Sequence, residues 1–555
     1  MNAIELQVSY SKSLGDLFPS IMMPAAWKAL MIKQITSDSR TVRPGALFFA
    51  QGGTMTHGER FIDDAIHQGA IAVIVEAAID APIVASLKRT HPNLAVFSDE
   101  CLSQHISEIA GRFFNKPSSS LSLIGVTGTN GKSSCVHLIS ELWCLLGRRS
   151  GHVGTLGYGI KSSGCNDAIT ETGMTTPSAI RVQEILAELH ENEVTHVAME
   201  VSSHGIHQSR VVSLDFDIAI LTNVTRDHLD YHKTFEEYAR VKNSFVCHYG
   251  AKTSIVNIDD ENGLQLSKNW SGDSMLLSYS LENSSADLYV AERDFNAGGV
   301  TARITSPWGT GILRTSLLGS FNLSNILACI AACCVQGEGF QKVLKHLSEI
   351  LAPNGRMQKV SMLTNHQNSK HAANDIVGFE GTKKVYIDFA HTPDALEKAI
   401  IALRQHCEKN IWLVFGCGGD RDAGKRPLMG EVAAQLADRI VVTSDNPRSE
   451  NPKEIIQQVA IGAQTILQNE AKSFSKLDTK VDLDAPLFLI EDREDAIAFA
   501  IKHSQKSDIV LIAGKGHENY QLVGEESHPF SDNDIAVRYL KQFAGNDGGL
   551  NDDLN

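Results

Sequence analysis

The sequence predicts an α/β protein of several domains with parallel sheets, and three observations support this fold class. The 555 residues are enough for three or four domains of about 100–200 residues each. A glycine-rich loop lies between an apolar run and a helical stretch near residue 128. From residue 385 onward, β-like runs alternate with helical stretches, which is typical of a parallel, doubly wound sheet.

The composition is that of a globular protein. Hydrophobic residues make up 43% and charged residues 21%, with 43 Gly and 15 Pro, which excludes collagen-like, coiled-coil and largely disordered chains. Lys and Arg total 50 against 65 Asp and Glu, so the formal charge is −15. Since phosphate neutralisation needs a basic surface, we expect no nucleic-acid partner.

The sequence predicts a cytoplasmic protein without membrane contact. The N-terminus has no basic stretch followed by an apolar one, so no secretory signal is expected. The uncharged stretch between Arg314 and Glu338 has an unbroken apolar part only at Ile326–Val335, and about 20 residues are needed to span a bilayer. This part therefore predicts a buried core helix. The ten Cys include no CxxC pair, which favours buried thiols over disulfides or a zinc site.

Three styles of sequence follow one another and predict the domain boundaries. Residues 1–115 contain short apolar runs with turn signals, such as Ala46–Ala50. Residues 116–355 contain the glycine-rich loop, and residues 356–545 carry the later alternation of strands and helices. The polar residues 546–555 predict a disordered tail.

The glycine-rich loop predicts a nucleotide site. Leu121–Val126 is typical of a buried strand, and a helix with one apolar face should follow the loop. In that context backbone N–H groups cradle phosphates, Lys132 neutralises them and the Ser133 hydroxyl can bind Mg²⁺. The glycines at 128 and 131 depart from the strict P-loop spacing. The alternative is a tight strand-to-helix turn with an incidental lysine.

Two more predicted strands, His196–Glu200 and Phe216–Leu221, end in polar residues. One Glu, one Ser and phosphate oxygens suffice for Mg²⁺, so the combination with the glycine loop favours phosphoryl chemistry. Taken alone, His228 could be a buried core histidine. Asp227 and Asp230 could likewise be helix caps or surface groups.

Charged and glycine-rich loops follow four predicted strands of the C-terminal part. These strands are Val385–Ile387, Ile411–Phe415, Ile440–Thr443 and Ile509–Ala513. The residues just beyond them are Asp388, Arg421, Asp445–Arg448 and Gly514–Glu518. Ligands of parallel sheets bind outside the carboxyl ends of the strands, so these loops predict a second binding site. The alternative for each one is an ordinary polar loop.

Nine short strings between residues 36 and 518 resemble the ATP-dependent Mur ligases. They are TSDSR (36–40), GTNGKS (128–133), MEVSSHG (199–205), TRDHLDYH (225–232), GSFNLSN (319–325), DFAHTPDAL (388–396), GCGGDRDAGKRPLMG (416–430), SDNPR (444–448) and AGKGHE (513–518). Within the family, they look most like the branch that adds meso-diaminopimelate to UDP-N-acetylmuramoyl-L-alanyl-D-glutamate.

This resemblance implies a three-domain architecture and an amide ligase of peptidoglycan precursor synthesis. The domains would be an N-terminal UDP-substrate-binding domain, a central P-loop ATP-binding domain and a C-terminal Rossmann-like amino-acid-binding domain. ATP would phosphorylate the D-glutamyl carboxylate, and the diaminopimelate amine would displace phosphate through a tetrahedral intermediate. Such chemistry needs positioning and charge neutralisation more than a strong base. Mg²⁺ would be the cofactor, ATP a co-substrate and the protein a monomer acting on small molecules.

The resemblance also implies roles for individual residues. The implied ATP-binding residues are Gly128, Thr129, Asn130, Gly131, Lys132, Ser133, Ser134, Asn322, Arg356 and Asp388. The implied residues for the UDP-muramoyl dipeptide are Ser37, Ser39, Thr54, Met55, Thr56, Met174, Thr175, Thr176, Ser202, Gln208 and Arg210. The implied diaminopimelate residues are Arg421, Asp445, Asn446, Pro447, Arg448, Gly514 and Glu518. The implied catalytic residues are Lys132, Glu200, His228 and Lys242, and the implied metal ligands are Ser133, Glu200, His228 and Lys242.

Some of these positions depend on the resemblance more than others. Lys242 matches the lysine that the family carbamylates, although the sequence alone predicts a solvated helix residue. Diaminopimelate has a second amino-carboxylate end, and Arg448 could hold its carboxylate with two parallel hydrogen bonds while Asp445 accepts from the ammonium. Met174 replaces a polar amide of the family, so we expect a backbone contact there. Gln358 replaces an acidic residue, and the Ser133–Ser134 pair replaces two threonines.

Three other functions are compatible with parts of the sequence, and each is disfavoured by a particular string or residue set. A lysine-adding relative is disfavoured by the SDNPR string, and a folate-extending relative by the TSDSR string. A P-loop regulator or scaffold without ligase activity is disfavoured because Lys132, Glu200 and Lys242 are all present.

Overall fold

The computed structural model describes residues 9–52, 57–161, 169–296, 298–361, 383–469 and 485–544. The predicted substrate residues Thr54, Met55 and Thr56 and the predicted tail lie outside these ranges. The chain forms two compact units. The first comprises Met1–Val290, Thr305–Gly309 and Ser324–His346, and the second comprises Ala291–Ile304, Thr310–Leu323 and Leu347–Asn555.

A four-stranded parallel sheet of order β3-β4-β5-β6 forms the N-terminal part of the first unit. Its central strand β4 is buried at every residue, as in a sheet covered on both faces, and Phe48 and Phe49 point into different cores. A separate antiparallel pair precedes the sheet, made of β1 (Lys12–Ser13) and β2 (Met31–Ile32). The four strands of the sheet are β3 (Gln34–Thr36), β4 (Ala46–Ala50), β5 (Ala70–Val75) and β6 (Ala95–Ser98). The helices are α1 (Leu14–Leu17), α2 (Ala25–Lys28), α3 (Ile62–His67), α4 (Pro82–Thr90) and α5 (Leu102–Phe113).

The rest of the first unit is built on a second sheet, in which β7 lies between β11 and β12 and runs parallel to both. Its strands are β7 (Ser122–Thr127), β8 (Ser150–Gly154), β9 (Gly157–Lys161), β10 (Ile169–Thr170), β11 (His196–Glu200), β12 (Ile218–Leu221), β13 (Thr253–Asn257) and β14 (Met275–Ser280). Its helices are α6 (Lys132–Leu145), α7 (Ala179–Glu191), α8 (Ser203–His207), α9 (Leu229–His232), α10 (Phe235–His248) and α11 (Glu261–Lys268). The pairs Glu200–Val126 and Leu221–Thr127 are in register, so the carboxyl ends of the three strands meet at one edge.

Three long strands and two helices follow in the chain. They are β15 (Leu288–Asn296), β16 (Gly299–Ser306), β17 (Gly309–Thr315), α12 (Ser320–Val335) and α13 (Phe340–Leu347). Every residue from Ile326 to Cys334 is buried, which confirms the predicted core helix. Across the described residues, none of the helices has the length and apolar character needed to cross a membrane.

A six-stranded sheet of order β18-β19-β23-β20-β21-β22 forms most of the second unit. Its strands are β18 (Gln358–Lys359), β19 (Lys384–Asp388), β20 (Ile411–Phe415), β21 (Arg439–Val442), β22 (Leu487–Leu489) and β23 (Ile509–Ala513), followed by the hairpin β24 (Tyr520–Val523) and β25 (Glu526–Pro529). Its helices are α14 (Pro393–Arg404), α15 (Lys425–Leu436), α16 (Pro452–Asn469), α17 (Arg493–His503) and α18 (Asp532–Ala544). Within the six-stranded sheet, all pairings except β18–β19 are parallel.

The C-terminal sheet is covered on both faces, as the alternating sequence pattern predicts. Along β20, Leu413 and Phe415 pack into one core, while Trp412 and Val414 pack into the other. Each of the three predicted domains thus contains a sheet built around parallel strands, and the predicted boundaries at residues 115 and 355 stay predictions.

Candidate active site

The glycine-rich loop joins β7 to α6, which confirms the predicted strand, loop and helix. Gly128 and Gly131 have φ of 147° and 89°. A side chain at Gly128 would collide with the Thr222 hydroxyl, and one at Gly131 would collide with the amide oxygen of Asn325. Only glycine fits at both positions. The loop thereby leads into the N-terminus of a 14-residue helix, where free N–H groups attract anions.

The segment after β12 holds this loop from the side. Asn223 accepts from the Thr129 N–H through its carbonyl and from the Asn130 N–H through Oδ1, both at 2.9 Å. The Thr222 hydroxyl donates to the Asn130 carbonyl at 2.6 Å. Because two loop amides are engaged in this way, the N–H groups left for a phosphate are those at the start of α6.

Two lysines converge on the carbonyl oxygen of Gly128. Lys132 Nζ donates to it at 2.8 Å, and Lys242 Nζ, from α10, donates to it at 2.7 Å. Lys242 is only 1% exposed. Burial and then the Lys132 charge lower the pKa of Lys242 well below its ordinary value, against the opposing charge of Asp227. The expectation of a solvated lysine from the sequence alone is therefore wrong, and the site holds an amine biased toward its neutral, nucleophilic form.

Glu200 ends β11 beside the glycine loop and is 2% exposed. Its Oε1 accepts from the Thr155 N–H at 2.8 Å, and its Oε2 accepts from the Thr155 hydroxyl at 3.2 Å. These bonds fix the carboxylate at the edge where β7, β11 and β12 end.

His228 precedes α9 with φ of 51° and a side chain that is 47% exposed. The alternative of a buried core histidine is therefore wrong. Asp227 faces it, with Oδ2 at 3.5 Å from His228 Nε2 and Oδ1 accepting from its backbone N–H. The rings of His204 and His228 are 5.0 Å apart. Burial, followed by the neighbouring imidazoles, lowers the pKa of His232 to about 4.

The donor set of Ser133, Glu200 and His228 comprises a hydroxyl, a carboxylate and an imidazole. In the described part of the chain, no group of three or more His, Cys, Asp or Glu side chains could hold a metal ion. An ion that keeps several waters and phosphate oxygens, as Mg²⁺ does, needs no such group. The Ser133 hydroxyl and the Glu200 carboxylate are oxygen donors of the kind that Mg²⁺ prefers.

Hydrogen bonds join several residues predicted to bind the muramoyl peptide. Arg210 Nε donates to Gln208 Oε1 at 3.1 Å, and its Nη1 donates to the Thr176 carbonyl at 2.5 Å. The same Nη1 lies 3.6 Å from the sulfur of Met174. Burial lowers the pKa of Arg210, against the nearby Tyr231. The structure thus gathers a cation and its polar neighbours, and the backbone contact expected of Met174 stays a prediction.

The same cluster continues to Glu200. The Thr176 hydroxyl donates to the Glu200 carbonyl at 2.8 Å and accepts from the Ser202 N–H at 2.9 Å. Ser202 also caps α8, and the Thr175 hydroxyl accepts from that of Thr155 at 3.0 Å. The predicted peptide path therefore borders the predicted metal site.

Ser37 and Ser39 lie beyond β3 in the N-terminal sheet. The Asp38 N–H donates to the Thr36 hydroxyl at 3.0 Å, and Asp38 Oδ1 accepts from the Arg40 N–H at 3.0 Å. Ser39 is buried and Ser37 is half-buried. Hydrogen bonds within residues 36–40 therefore fix the conformation of the turn that carries Ser37 and Ser39.

Arg356 and Asp388 meet in the second unit. Asp388 accepts from the N–H groups of Met357 at 2.7 Å and Ala390 at 2.8 Å. Burial raises the pKa of Asp388, and the Arg356 charge opposes the rise. The Arg356 guanidinium lies 4.7 Å from the centre of the Phe389 ring. Asn322 is 5% exposed and its Nδ2 donates to the Leu318 carbonyl at 2.9 Å.

The loop of Arg356 packs directly against the 513–518 loop. Gly355 and Gly516 have φ of 68° and 55°. A side chain at Gly355 would collide with the Gly516 backbone, and one at Gly516 would press on Phe389. Predicted ATP and diaminopimelate residues therefore share one edge of the C-terminal sheet. Gln358 closes the loop, since its Oε1 accepts from the Gly355 N–H at 2.8 Å.

The predicted diaminopimelate residues surround the loop that follows β21. Asn446 Nδ2 donates to Glu518 Oε2 at 2.9 Å, and a side chain at Gly514 would press on the Asp445 carboxylate. Arg448 has φ of 51°, and its Nη1 donates to the Gly419 carbonyl at 2.8 Å. Pro447 is buried and Arg421 is exposed.

Several residues that shape the site were not among the predicted positions. Asn325 occupies the space that a side chain at Gly131 would need, the Tyr231 hydroxyl accepts from Gln208 at 3.1 Å, and Lys515 is buried beside the predicted diaminopimelate residues. All three stand inside strings that carry the family resemblance. Thr222 lies outside those strings, and its position at a predicted strand end was the only available signal.

Comparisons with known proteins agree with this geometry. The family model described as "Mur ligase family, catalytic domain" matches residues 31–110. "Mur ligase middle domain" matches residues 126–333, and "Mur ligase, glutamate ligase domain" matches residues 375–516.

Relatives and solved structures point the same way. The UDP-N-acetylmuramoyl-L-alanyl-D-glutamate–2,6-diaminopimelate ligase of Ectopseudomonas mendocina (strain ymp) is 42% identical over 92% of this chain and 95% of its own. The Pseudomonas aeruginosa ligase of the same name is 41% identical, over 95% and 98%. A solved structure of a ligase of that name is similar with a TM-score of 0.67 and 30% identity, covering 97% of this chain and 99% of that one. The MurF ligase from Thermotoga maritima, solved in complex with ADP, shares the fold with a TM-score of 0.54 and 16% identity, over 92% and 96%.

These similarities confirm the predicted three-domain α/β fold class and the prediction of an ATP-dependent ligase of peptidoglycan synthesis. Three family models along the sequence, and a relative 42% identical over 92% of the chain, establish that this protein belongs to the Mur ligase family.

Proposed function

We propose that this protein joins meso-diaminopimelate to the D-glutamyl carboxylate of UDP-N-acetylmuramoyl-L-alanyl-D-glutamate, with ATP forming an acyl phosphate on the way. The observation that carries the proposal is the loop after β21. It carries Asp445 and Arg448 at the carboxyl edge of the C-terminal sheet, and its Asn446 donates to Glu518 of the loop after β23. An amino-carboxylate end needs such a pairing of a guanidinium with carboxylates.

The first unit would bind and neutralise the phosphates. The N–H groups at the start of α6 and the Lys132 ammonium supply positive charge where the γ-phosphoryl oxygens would lie. Ser133, Glu200 and His228 would hold Mg²⁺, which would supply neutralisation of the phosphate charge. We propose Mg²⁺ as the cofactor on the chemistry of these donors.

Lys242 fits the proposed carbamylation. A buried amine biased toward its neutral form can attack CO₂ and release one proton, and the product is a carbamate anion. The Lys132 ammonium would attract this anion, since both side chains reach the same Gly128 carbonyl.

The muramoyl dipeptide would lie along the Arg210 cluster. Its D-glutamyl carboxylate is an anion, and Arg210 is a half-buried guanidinium held by Gln208 and Thr176. Holding the carboxylate close to the phosphate site supplies the positioning that acyl activation requires. Ser37 and Ser39 stay the proposed contacts for the uridine nucleotide.

An amino-acid selectivity assay tests this proposal. The purified protein is given ATP, the UDP-muramoyl dipeptide and either meso-diaminopimelate or L-lysine. ADP, phosphate and product mass are then measured. We expect turnover only when the dipeptide and diaminopimelate are both present. Equal turnover with L-lysine would contradict the specificity, and activity of Lys132→Ala would contradict the phosphate site. Sedimentation and cell fractionation test the predicted monomer and cytoplasmic location.

A further inference from the structure

A buried lysine lies beneath the proposed diaminopimelate residues. Lys515 follows β23 and is 0% exposed. Its Nζ donates to Asn446 Oδ1 at 2.9 Å and to the Tyr520 carbonyl at 2.8 Å. The same atom lies 3.4 Å from Asp445 Oδ1 and 3.6 Å from Glu518 Oε2. Three of these four groups are side chains proposed to bind the substrate, while Lys515 itself is fully buried.

Lys515 is the cation that holds the two carboxylates together. Burial lowers the pKa of Lys515 and raises that of Glu518, and the attraction between the two groups opposes both changes. The nearby Arg493 and Asp532 form their own two-bonded pair at 2.8 Å, with both side chains 0% exposed. The charge of Arg493 also interacts with Asp445 and Glu518, and both members of this pair act on Lys515. Lys515 is nevertheless the cation whose ammonium lies within 3.6 Å of both carboxylates.

Lys515 also orients the amide between the carboxylates. Asn446 Oδ1 accepts from Lys515 and from the Leu522 N–H at 3.0 Å, so Nδ2 is turned toward Glu518. The bond to the Tyr520 carbonyl anchors β24 at its first residue. That strand in turn holds Arg448, whose N–H donates to the Leu522 carbonyl at 3.1 Å. The lysine is therefore linked directly to Asn446 and indirectly, through β24, to Arg448.

We propose that Lys515 is a positioning residue for the amino-acid substrate, holding Asp445, Asn446 and Glu518 so that two carboxylates face the distal ammonium of diaminopimelate. Without it the carboxylates repel, and Glu518, the more exposed of the two, turns to solvent. The ammonium then loses one acceptor, while the arginines that hold the carboxylate end remain. This inference rests on the proposed function.

The test is the variant Lys515→Gln, which keeps a donor of similar length but removes the charge. We expect the KM for diaminopimelate to rise about 10-fold, since a charge-assisted bond is lost. 2-Aminopimelate lacks one amine and therefore cannot make that bond. Its inhibition constant should change less than about threefold. The KM for ATP should stay within about twofold because the nucleotide uses other residues. Lys541→Met, on the exposed face of α18, is the matched control.

A second variant separates a specific role from general damage. If Lys515 acts through Glu518, adding Glu518→Gln to Lys515→Gln should raise the diaminopimelate KM less than twofold further, because the two changes remove one interaction. An unchanged KM for diaminopimelate overturns the proposal. An equal rise in the inhibition constant of 2-aminopimelate and in the KM for ATP also overturns the proposal, since it indicates that the loops are disordered. Failure of the wild-type protein to use diaminopimelate would instead contradict the proposed function.

Discussion

Replacing Arg448 by alanine should weaken binding of diaminopimelate and leave that of ATP unchanged. The backbone at residue 448 is held independently of the side chain, since its N–H donates to the Leu522 carbonyl at 3.1 Å and its carbonyl accepts from the Gly524 N–H at 2.8 Å. One guanidinium N–H is already used by the Gly419 carbonyl, and the others are available to a carboxylate. Truncation therefore removes the contact with the substrate and largely spares the fold of the loop.

The magnitude follows from one charge-assisted interaction. Such a bond contributes about 1.5–3 kcal/mol. With about 1.36 kcal/mol for each factor of ten, the KM for diaminopimelate should rise about 10- to 150-fold. Arg448→Lys keeps the charge without the planar fork and should fall between the wild type and the alanine variant.

Steady-state kinetics with each substrate varied in turn gives the measurement. Arg538→Ala, an exposed arginine of α18, is the control and should change neither constant. A diaminopimelate KM within twofold of the wild type would remove Arg448 from the site. A matching rise in the KM for ATP would show that the loop has collapsed, and the reasoning from its backbone bonds would then be wrong.

Two further predictions concern buried charges. Arg493→Met should lower the free energy of unfolding by about 3–5 kcal/mol because it leaves Asp532 buried and unpaired; urea titration should detect this, and adding Asp532→Asn should recover part of it. Lys242→Met should abolish turnover yet raise the melting temperature in CO₂-free buffer. The folded protein holds Lys242 at a pKa below that of the unfolded chain, so the unfolded state binds more protons and the wild type gains stability as pH rises toward the ordinary lysine value. The melting temperature of Lys242→Met should thus exceed that of the wild type by more at pH 7 than at pH 9. The opposite trend in differential scanning fluorimetry would contradict this prediction.

The elements that carry the site were predictable because their signals are local. Ile411–Phe415 is an unbroken apolar run, and parallel strands buried on both faces have that composition. The glycine loop was recognisable for the same reason, since phosphate cradles need glycine at fixed spacing. Phe216, predicted as the start of β12, instead lies two residues before it, where its ring packs on Phe245.

The charged groups of the interior were not predictable in this way. A lysine on a helix or loop is expected to reach solvent. Lys242 and Lys515 are buried because chain segments distant in the sequence supply their partners. The carbonyl of Gly128 is 114 residues from Lys242, and the amide of Asn446 is 69 residues from Lys515. Local sequence patterns carry no information on contacts over such distances. The resemblance to the family implied a role for Lys242 but not one for Lys515.

The backbone contact between Gly355 and Gly516 packs two loops so closely that they should move together. The first loop carries Arg356, proposed to meet the ATP phosphates, and the second carries Glu518, proposed to meet the amino acid. Because neither glycine leaves room for even a methyl group, one loop cannot move toward its ligand without pushing the other. If Arg356 meets the ATP phosphates as proposed, a displacement of its loop would reach the amino-acid pocket directly through this backbone contact.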